Sequence, residues 1–389
     1  MKNFTFYSPT KIIFGKGTED EVGRQTKKYG KKILLHYGGG SIKKTGLYDK
    51  VMKSLRQEGI DVIELGGVKP NPRLSLVREG IDICRKKNID FILIVGGGSV
   101  IDSAKAIAAG APYKGDVWDF FSDNKPEIES AIPLGVVLTI PAAGSEVSPD
   151  MVVTKEEGWF KKAGGGDPLR SKFSIMNPEL TFTLSAGQTV TGVSDILAHI
   201  YERYFSQVTN TELVDRLAEA TMKTVINNTR LVLKDLKDYD ARAEIMWAGS
   251  IAHNDLLATG KTGDWASHMI EHELSAIYDI AHGDGLSIIF PAWMKYVYRE
   301  NVERFAQFAE RVWDVDPGSN GMESAALEGI ARMEAYYRET GLPTRLSDLD
   351  IGGDRLEEMA EKCAGKDTLG NFKKLGRDDV LEIYKLALK

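Results

Sequence analysis

Asp195 and His199 stand four residues apart, and so do His268 and His272. On a helix that spacing brings both members of a pair to one face. The chain has six histidines, and four of them (His253, His268, His272 and His282) fall between residues 253 and 282. His282 precedes Gly283, where a turn is expected. Asp195, His199, His268 and His282 together offer one carboxylate and three imidazoles. This nitrogen and oxygen donor set suits Fe²⁺ or Zn²⁺, with one coordination position left for substrate. The competing reading is that buried histidines are satisfied core residues and that an i, i+4 pair arises by chance. His36 follows an apolar strand and receives no role, and His253 lies in AGSIAHNDLLATG, on a packed helix.

Two glycine clusters form a second candidate site. Gly96-Gly97-Gly98-Ser99 follows the apolar run DFILIV and opens a helix that carries Asp102 and Lys105. Backbone N–H groups at such a helix start suit a diphosphate, although the pattern is not the ordinary GxGxxG and also fits a tight turn. Gly38-Gly39-Gly40-Ser41 closes the earlier run Lys31–His36. In dinucleotide folds an acidic residue at this place binds the ribose 2′-hydroxyl and repels a 2′-phosphate. Here glycines, Ser41, Lys43 and Lys44 replace it, which favours NADP(H), with NAD(H) as the alternative.

These residues need a scaffold. Lys31–His36, Asp61–Leu65, Asp90–Val95 and Leu134–Ile140 read as strands, with helices over 47–59, 74–87 and from Val100. Such alternation predicts a parallel, Rossmann-like sheet, with ligands at the carboxyl ends of its strands. After Leu184 helical periodicity takes over: Asp215–Val232 places Leu217, Ala220, Thr221, Val225 and Leu231 along one face, and 300–340 and 372–388 are similar. The metal candidates lie on helices starting after Thr189–Gly192 and at Asp264. The expected architecture is an α/β dinucleotide-binding domain over residues 1–184 and an all-α metal-binding domain over 185–389, with ligand in a cleft between them.

Composition narrows the function. A chain of 389 residues suits two domains. A formal charge of −6 gives no basic footprint for nucleic acid and no polybasic membrane segment. No apolar run approaches the ~18 residues of a membrane span, and MKNFTFYSPTKIIFG lacks a signal-peptide pattern. Two distant cysteines, Cys84 and Cys363, fit a reducing cytoplasm. Phe4–Phe14 reads as an exposed strand able to pair across a two-fold axis, which predicts a homodimer.

GGGSVIDSAK (Gly96–Lys105), TIPAAGSE (Thr139–Glu146), NPELTFTL (Asn177–Leu184), GVSDILAHIYERYF (Gly192–Phe205) and DWASHMIEHELSAIYDIAHGDGLSIIFPA (Asp264–Ala292) resemble the iron-containing alcohol dehydrogenase family. YGGGSIKKTGLYDKV and GVKPNP resemble its butanol dehydrogenase branch, and the likeness covers nearly the whole chain. The resemblance implies that Asp195, His199, His268 and His282 are the metal ligands and that His272 lies near substrate without binding metal. It implies nucleotide contacts at Gly39, Ser41, Asn71, Gly97, Gly98, Ser99, Asp102, Thr139, Ser145 and a lysine, Lys161 or, second, Lys162. Many members have threonine where Ala143 stands, which puts one cofactor hydrogen bond in doubt. The expected reaction is hydride exchange between short-chain primary alcohols or aldehydes and NAD(P), with the metal as Lewis acid and His272 relaying the proton. Trp265 and Ile270 favour plain alkyl substrates over glycerol or 1,2-diols. A dehydroquinate-synthase-like lyase would need more cations than Arg203 beside the ligands.

Overall fold

The computed structural model describes every residue except Asp123, Asn124, Pro317, Ser319, Asn320 and Lys389. Its strands are β1 (Lys11–Phe14), β2 (Lys32–Tyr37), β3 (Asp61–Leu65), β4 (Phe91–Gly96), β5 (Leu134–Leu138), β6 (Asp150–Lys155), β7 (Phe160–Gly165) and β8 (Phe173–Met176). Six of them form one sheet in the order β1-β8-β5-β4-β2-β3, and every pair in it is parallel. The interior strands are near-continuous apolar runs such as FILIVG, as expected where helices cover both faces. Side chains alternate accordingly. Leu34, Ile92 and Ile94 join one apolar cluster, and Ile33, Leu35, Leu93 and Val95 join the other.

Helices of eight residues or more are α1 (Leu47–Gln57), α2 (Leu74–Lys87), α3 (Gly98–Gly110), α4 (Ala186–Tyr204), α5 (Glu212–Lys234), α6 (Tyr239–His253), α7 (Ala266–Tyr278), α8 (His282–Val297), α9 (Val302–Trp313), α10 (Gly321–Thr340), α11 (Leu356–Cys363) and α12 (Arg377–Leu388). The chain divides into two compact units: Tyr7–Leu184 with Lys237–Asn254, and Met1–Phe6 with Ser185–Leu236 and Asp255–Lys389. The first holds all eight strands and α1–α3, and α6 joins it from far along the chain. The second is helical, as the periodicity predicted. A cluster of Tyr204, Phe205, Trp293, Phe305 and Phe308 forms part of its core. No helix among the described residues is long and apolar enough to cross a membrane.

Several expectations are corrected. The segment 4–14 is a strand only over Lys11–Phe14, at the sheet edge beside β8. The antiparallel hairpin β6–β7 was not anticipated, because FKKAGG mixes lysines and glycines in a run that reads as loop. On α5 the buried stripe is Val214, Ala218, Met222, Val225 and Val232, whereas Leu217 and Leu231 are 38% and 46% exposed. That stripe also keeps a helical i, i+4/i+3 spacing, so periodicity alone admitted either face. His282 is not in a turn but is the first residue of α8.

Candidate metal centre and cofactor loops

α4, α7 and α8 bring the metal candidates together. α4 is started by a capping box between Ser185 and Gln188 and carries Asp195 and His199, both buried. α7 carries His268 and His272, and His282 opens α8. The side chains of Asp195, His268 and His282 each offer a donor atom, and these atoms all lie within 4.8 Å of one another. His199 stands beside them: its ring centroid is 4.7 Å from that of His268, and its Nδ1 is 3.0 Å from Asp195 Oδ1. His272 groups instead with Glu271 and His282, and its ring centroid lies 5.6 Å from that of His282. A buried carboxylate among imidazoles has the donor chemistry of a divalent metal site.

Two glycines explain how α8 comes so close. A Cβ on Gly283 would lie 2.0 Å from the Thr191 carbonyl oxygen, and one on Gly285 would lie 2.6 Å from Glu271 Oε1. Behind the candidate ligands stand groups that spacing does not reveal. Glu202 accepts N–H bonds from His268 Nδ1 at 2.8 Å and from the His268 and Trp265 backbone. Burial pushes its carboxyl well above the usual range, and the neighbouring Asp264 adds to this. Glu271 accepts from His282 Nδ1 and the Ser275 hydroxyl. Arg203 donates to the His199 carbonyl at 2.9 Å and stacks over Trp265 at 4.7 Å. Trp265 is half-buried, with its ring 5.4 Å from His268 and 6.0 Å from His199. It therefore lies beside the candidate ligands, whereas Ile270 is fully buried and its carbonyl accepts from the Tyr384 hydroxyl. The sequence signal for Glu202 and Glu271 was present: each follows a histidine by three residues.

In the α/β unit, β2 and β4 are neighbours, while β2 leads outward to β3 and β4 leads the other way to β5. This is a topological switch point, where open α/β sheets bind ligands. Both glycine loops leave it, since Gly38–Gly40 follows β2 and Gly97 begins the turn after β4 into α3. A Cβ on Gly39 would meet nothing within 4 Å, and Gly98 and Ser99 are half-buried at the start of the thirteen-residue α3. Exposed backbone at two adjacent strand ends fits a dinucleotide. Asn71 is buried with φ of 53°, and Thr139 bonds its N–H to the Gly96 carbonyl at 3.1 Å. On β7, Lys161 is buried and Lys162 half-buried, on opposite faces of the strand.

Asp102 and Ser145 bond to each other. Ser145 Oγ donates to Asp102 Oδ1 at 2.6 Å, and Asp102 Oδ2 accepts the Val152 N–H at 3.0 Å. Lys105 donates to Ser145 at 3.0 Å and to the carbonyls of Ser148 and Asp150. Burial lowers its ammonium pKa to about 8, against the pull of Asp102. Both residues thus anchor the segment after β5 onto α3. His253 pins the same segment from α6, between the Ala143 carbonyl at 2.6 Å and the Asp150 carboxylate at 3.1 Å.

Comparison with known proteins agrees over the whole chain. The sequence model of the iron-containing alcohol dehydrogenase family matches residues 9–178, and that of the C-terminal part of the same family matches 189–388. A probable NADH-dependent butanol dehydrogenase 2 of Bacillus subtilis is 48% identical, with 100% of both chains covered. The NADPH-dependent aldehyde reductase YqhD of Escherichia coli is 36% identical, again over 100% of both. A crystal structure of NADH-dependent butanol dehydrogenase A from Thermotoga maritima superimposes with a TM-score of 0.95 at 43% identity, covering 100% of this chain and 99% of that one. With family models over both halves and full-length relatives at this identity, the chain belongs to the iron-containing alcohol dehydrogenase family, on its butanol dehydrogenase branch, and is an oxidoreductase that uses NAD(P) and a divalent metal.

Proposed function

We propose that the enzyme interconverts short-chain primary alcohols and aldehydes of the butanol and butanal type. In this reading Asp195, His199, His268 and His282 hold Fe²⁺, with Zn²⁺ as the alternative. The observation that carries it is the donor cluster of buried Asp195 and His268 with half-buried His282, beside the ring of Trp265. The division of labour follows the two units: the α/β unit carries the cofactor and the helical unit the metal. When bound, the metal supplies a Lewis acid for the substrate oxygen, and the nicotinamide gives or takes the hydride.

The chain's own residues do the rest. The N–H groups at Gly97, Gly98 and Ser99 hold the diphosphate, and Gly39 and Ser41 receive the adenosine ribose. Asn71, Thr139 and Lys161 line the remainder, while Asp102 and Ser145 act by keeping the segment after β5 in place. Trp265 offers an apolar wall to an alkyl chain and keeps water from the ligands. His272, buried and next to His282, moves the proton between substrate oxygen and solvent.

NADP(H) is the preferred cofactor in this reading, because no acid stands between Tyr37 and Ser41 and Lys43 follows closely. Glu64 favours a second reading, NAD(H). Its carboxylate accepts from Tyr37 and Tyr48 and lies 3.9 Å from Lys43 Nζ, which offsets that charge. Lys43→Ala should raise KM for NADPH several-fold and leave KM for NADH in place; equal effects on both would remove the 2′-phosphate role. The substrate reading is tested with a panel of aldehydes, glycerol and 1,2-diols, assayed with both cofactors after Fe²⁺ or Zn²⁺ reconstitution. Butanal-range aldehydes should lead, and a clear preference for diols would reverse the assignment.

The same reading places the enzyme in the cytoplasm, supported by two free cysteines, and makes it a homodimer. Exposed Phe4, Phe6 and Tyr7, and the edge position of β1, support the dimer, which sedimentation should show as twice the chain mass.

A further inference from the structure

Two buried glutamates stand behind the ligand histidines, each reaching from one helix to the next. Glu202 on α4 is 1% exposed, and its Oε1 accepts from His268 Nδ1 on α7 at 2.8 Å. Glu271 on α7 is fully buried, and its Oε2 accepts from His282 Nδ1 on α8. The third imidazole is held in the same sense, with His199 Nδ1 2.9 Å from the Asp195 carbonyl oxygen. The Asp195 carbonyl only accepts, both Glu202 oxygens already accept backbone N–H groups and Glu271 Oε1 already accepts from Ser275, so each partner keeps the ring proton on Nδ1. The lone pair then belongs to Nε2, the nitrogen on the far side of the ring. A carboxylate in this position also makes the imidazole a stronger donor. Glu271 has little room to swing away, because the backbone of Gly285 packs against it so closely that a Cβ would sit 2.6 Å from its Oε1.

We propose that Glu202 and Glu271 are positioning residues of the metal site, each fixing Nε2 of a histidine on another helix as the coordinating atom. The inference rests on the ligand assignment made above. It gives the DxxxHxxE and HxxEH runs a common logic: α4 and α7 each supply candidate ligands and also a carboxyl group that orients a ligand on another helix. The three elements thereby set one another's donors, α4 for α7 and α7 for α8.

The test is Zn²⁺ affinity, read by competition with a chelator, for Glu202→Gln and Glu271→Gln in the full chain. Glutamine keeps the shape and replaces one carboxyl oxygen by an N–H donor. Both variants should bind Zn²⁺ roughly 10–100-fold more weakly with the melting temperature of the metal-free protein unchanged. With Co²⁺ as the probe, their visible absorption bands should shift, which a general loss of stability does not produce. Glu202 also holds the first turn of α7 through backbone N–H groups, so Glu271→Gln carries the test if Glu202→Gln does not fold. Parental Zn²⁺ affinity and an unshifted Co²⁺ spectrum in Glu271→Gln, with metal lost in His268→Ala, would overturn the proposal and leave the ligand assignment standing. Parental affinity in His268→Ala would overturn the ligand assignment itself.

Discussion

His272 and His268 share a helix face, yet the chemistry assigned to them differs. His268 has its Nδ1 committed to Glu202 and groups with Asp195 and His282, whereas His272 groups with Glu271 and His282. His272→Ala should therefore lower turnover by roughly 10²–10⁴-fold, the usual span for a positioned acid or base, while metal content stays at the parental level. Loss of the metal in that variant would make His272 a ligand or a ligand's support. His36 shows the opposite fate of a histidine. It is fully buried in β2, donates from Nδ1 to the Leu65 carbonyl at 2.9 Å and accepts at Nε2 from Ser103. Burial lowers its pKa to about 4, so the folded chain keeps it neutral while the unfolded chain protonates near 6.5. Its contribution is intact above pH 6.5 and is lost as the pH falls towards 4, by about 3 kcal/mol in total. Chemical denaturation at pH 7 and pH 5 should show this fall, and a His36→Gln variant should show less of it.

At the scale of elements, the site depends on how closely α8 approaches α4 and α7. Gly283→Ala places a methyl group 2.0 Å from a backbone oxygen of α4, which the helix must move to accommodate. Overpacking of this kind costs about 1–3 kcal/mol, and denaturant unfolding should show a lower midpoint at an unchanged slope. Gly285→Ala presses on the Glu271 carboxylate instead, so metal affinity should fall more than stability does. The glycines of HGDG were visible in the sequence, but the surfaces they admit were not. Helical spacing revealed the pairs Asp195/His199 and His268/His272, because an i, i+4 relation is fixed by the helix itself. That His268 and His282 meet Asp195 on another helix is a tertiary fact, which residue types suggested beforehand and family resemblance strengthened. Glu202 and Glu271 escaped notice because an acid on a helix ordinarily faces water; burial gives them their part. Asp102 and Ser145 were expected at the cofactor, and their bond to each other depends on a loop path that spacing does not encode. The sheet was easier to read. Apolar runs marked β2, β4 and β5, the first two ending in glycine loops, while β7, written in lysine and glycine, did not stand out.

For the whole molecule, the proposed functions follow the sequence order, with glycine loops before residue 184 and the candidate metal donors after it. The exceptions are physical. α6 lies between two helical-unit segments yet belongs to the α/β unit, where His253 holds the Ala143 carbonyl. Because the donors sit on three helices, metal binding should stabilise the helical unit against unfolding. At a hundredfold excess over Kd the gain is about 2.7 kcal/mol, seen as a higher melting temperature that chelator removes. An unchanged melting temperature would mean that the donors do not bind the metal when folded.

The most direct measurement is the metal-to-chain ratio of the purified enzyme and of its Asp195→Ala and His268→Ala variants, alongside aldehyde-dependent oxidation of NADPH and NADH. One divalent metal per chain is predicted for the parent, and loss of both metal and activity for each variant. A metal-free parent with full activity, or variants that keep both metal and turnover, would contradict a metal-dependent dehydrogenase built on these residues.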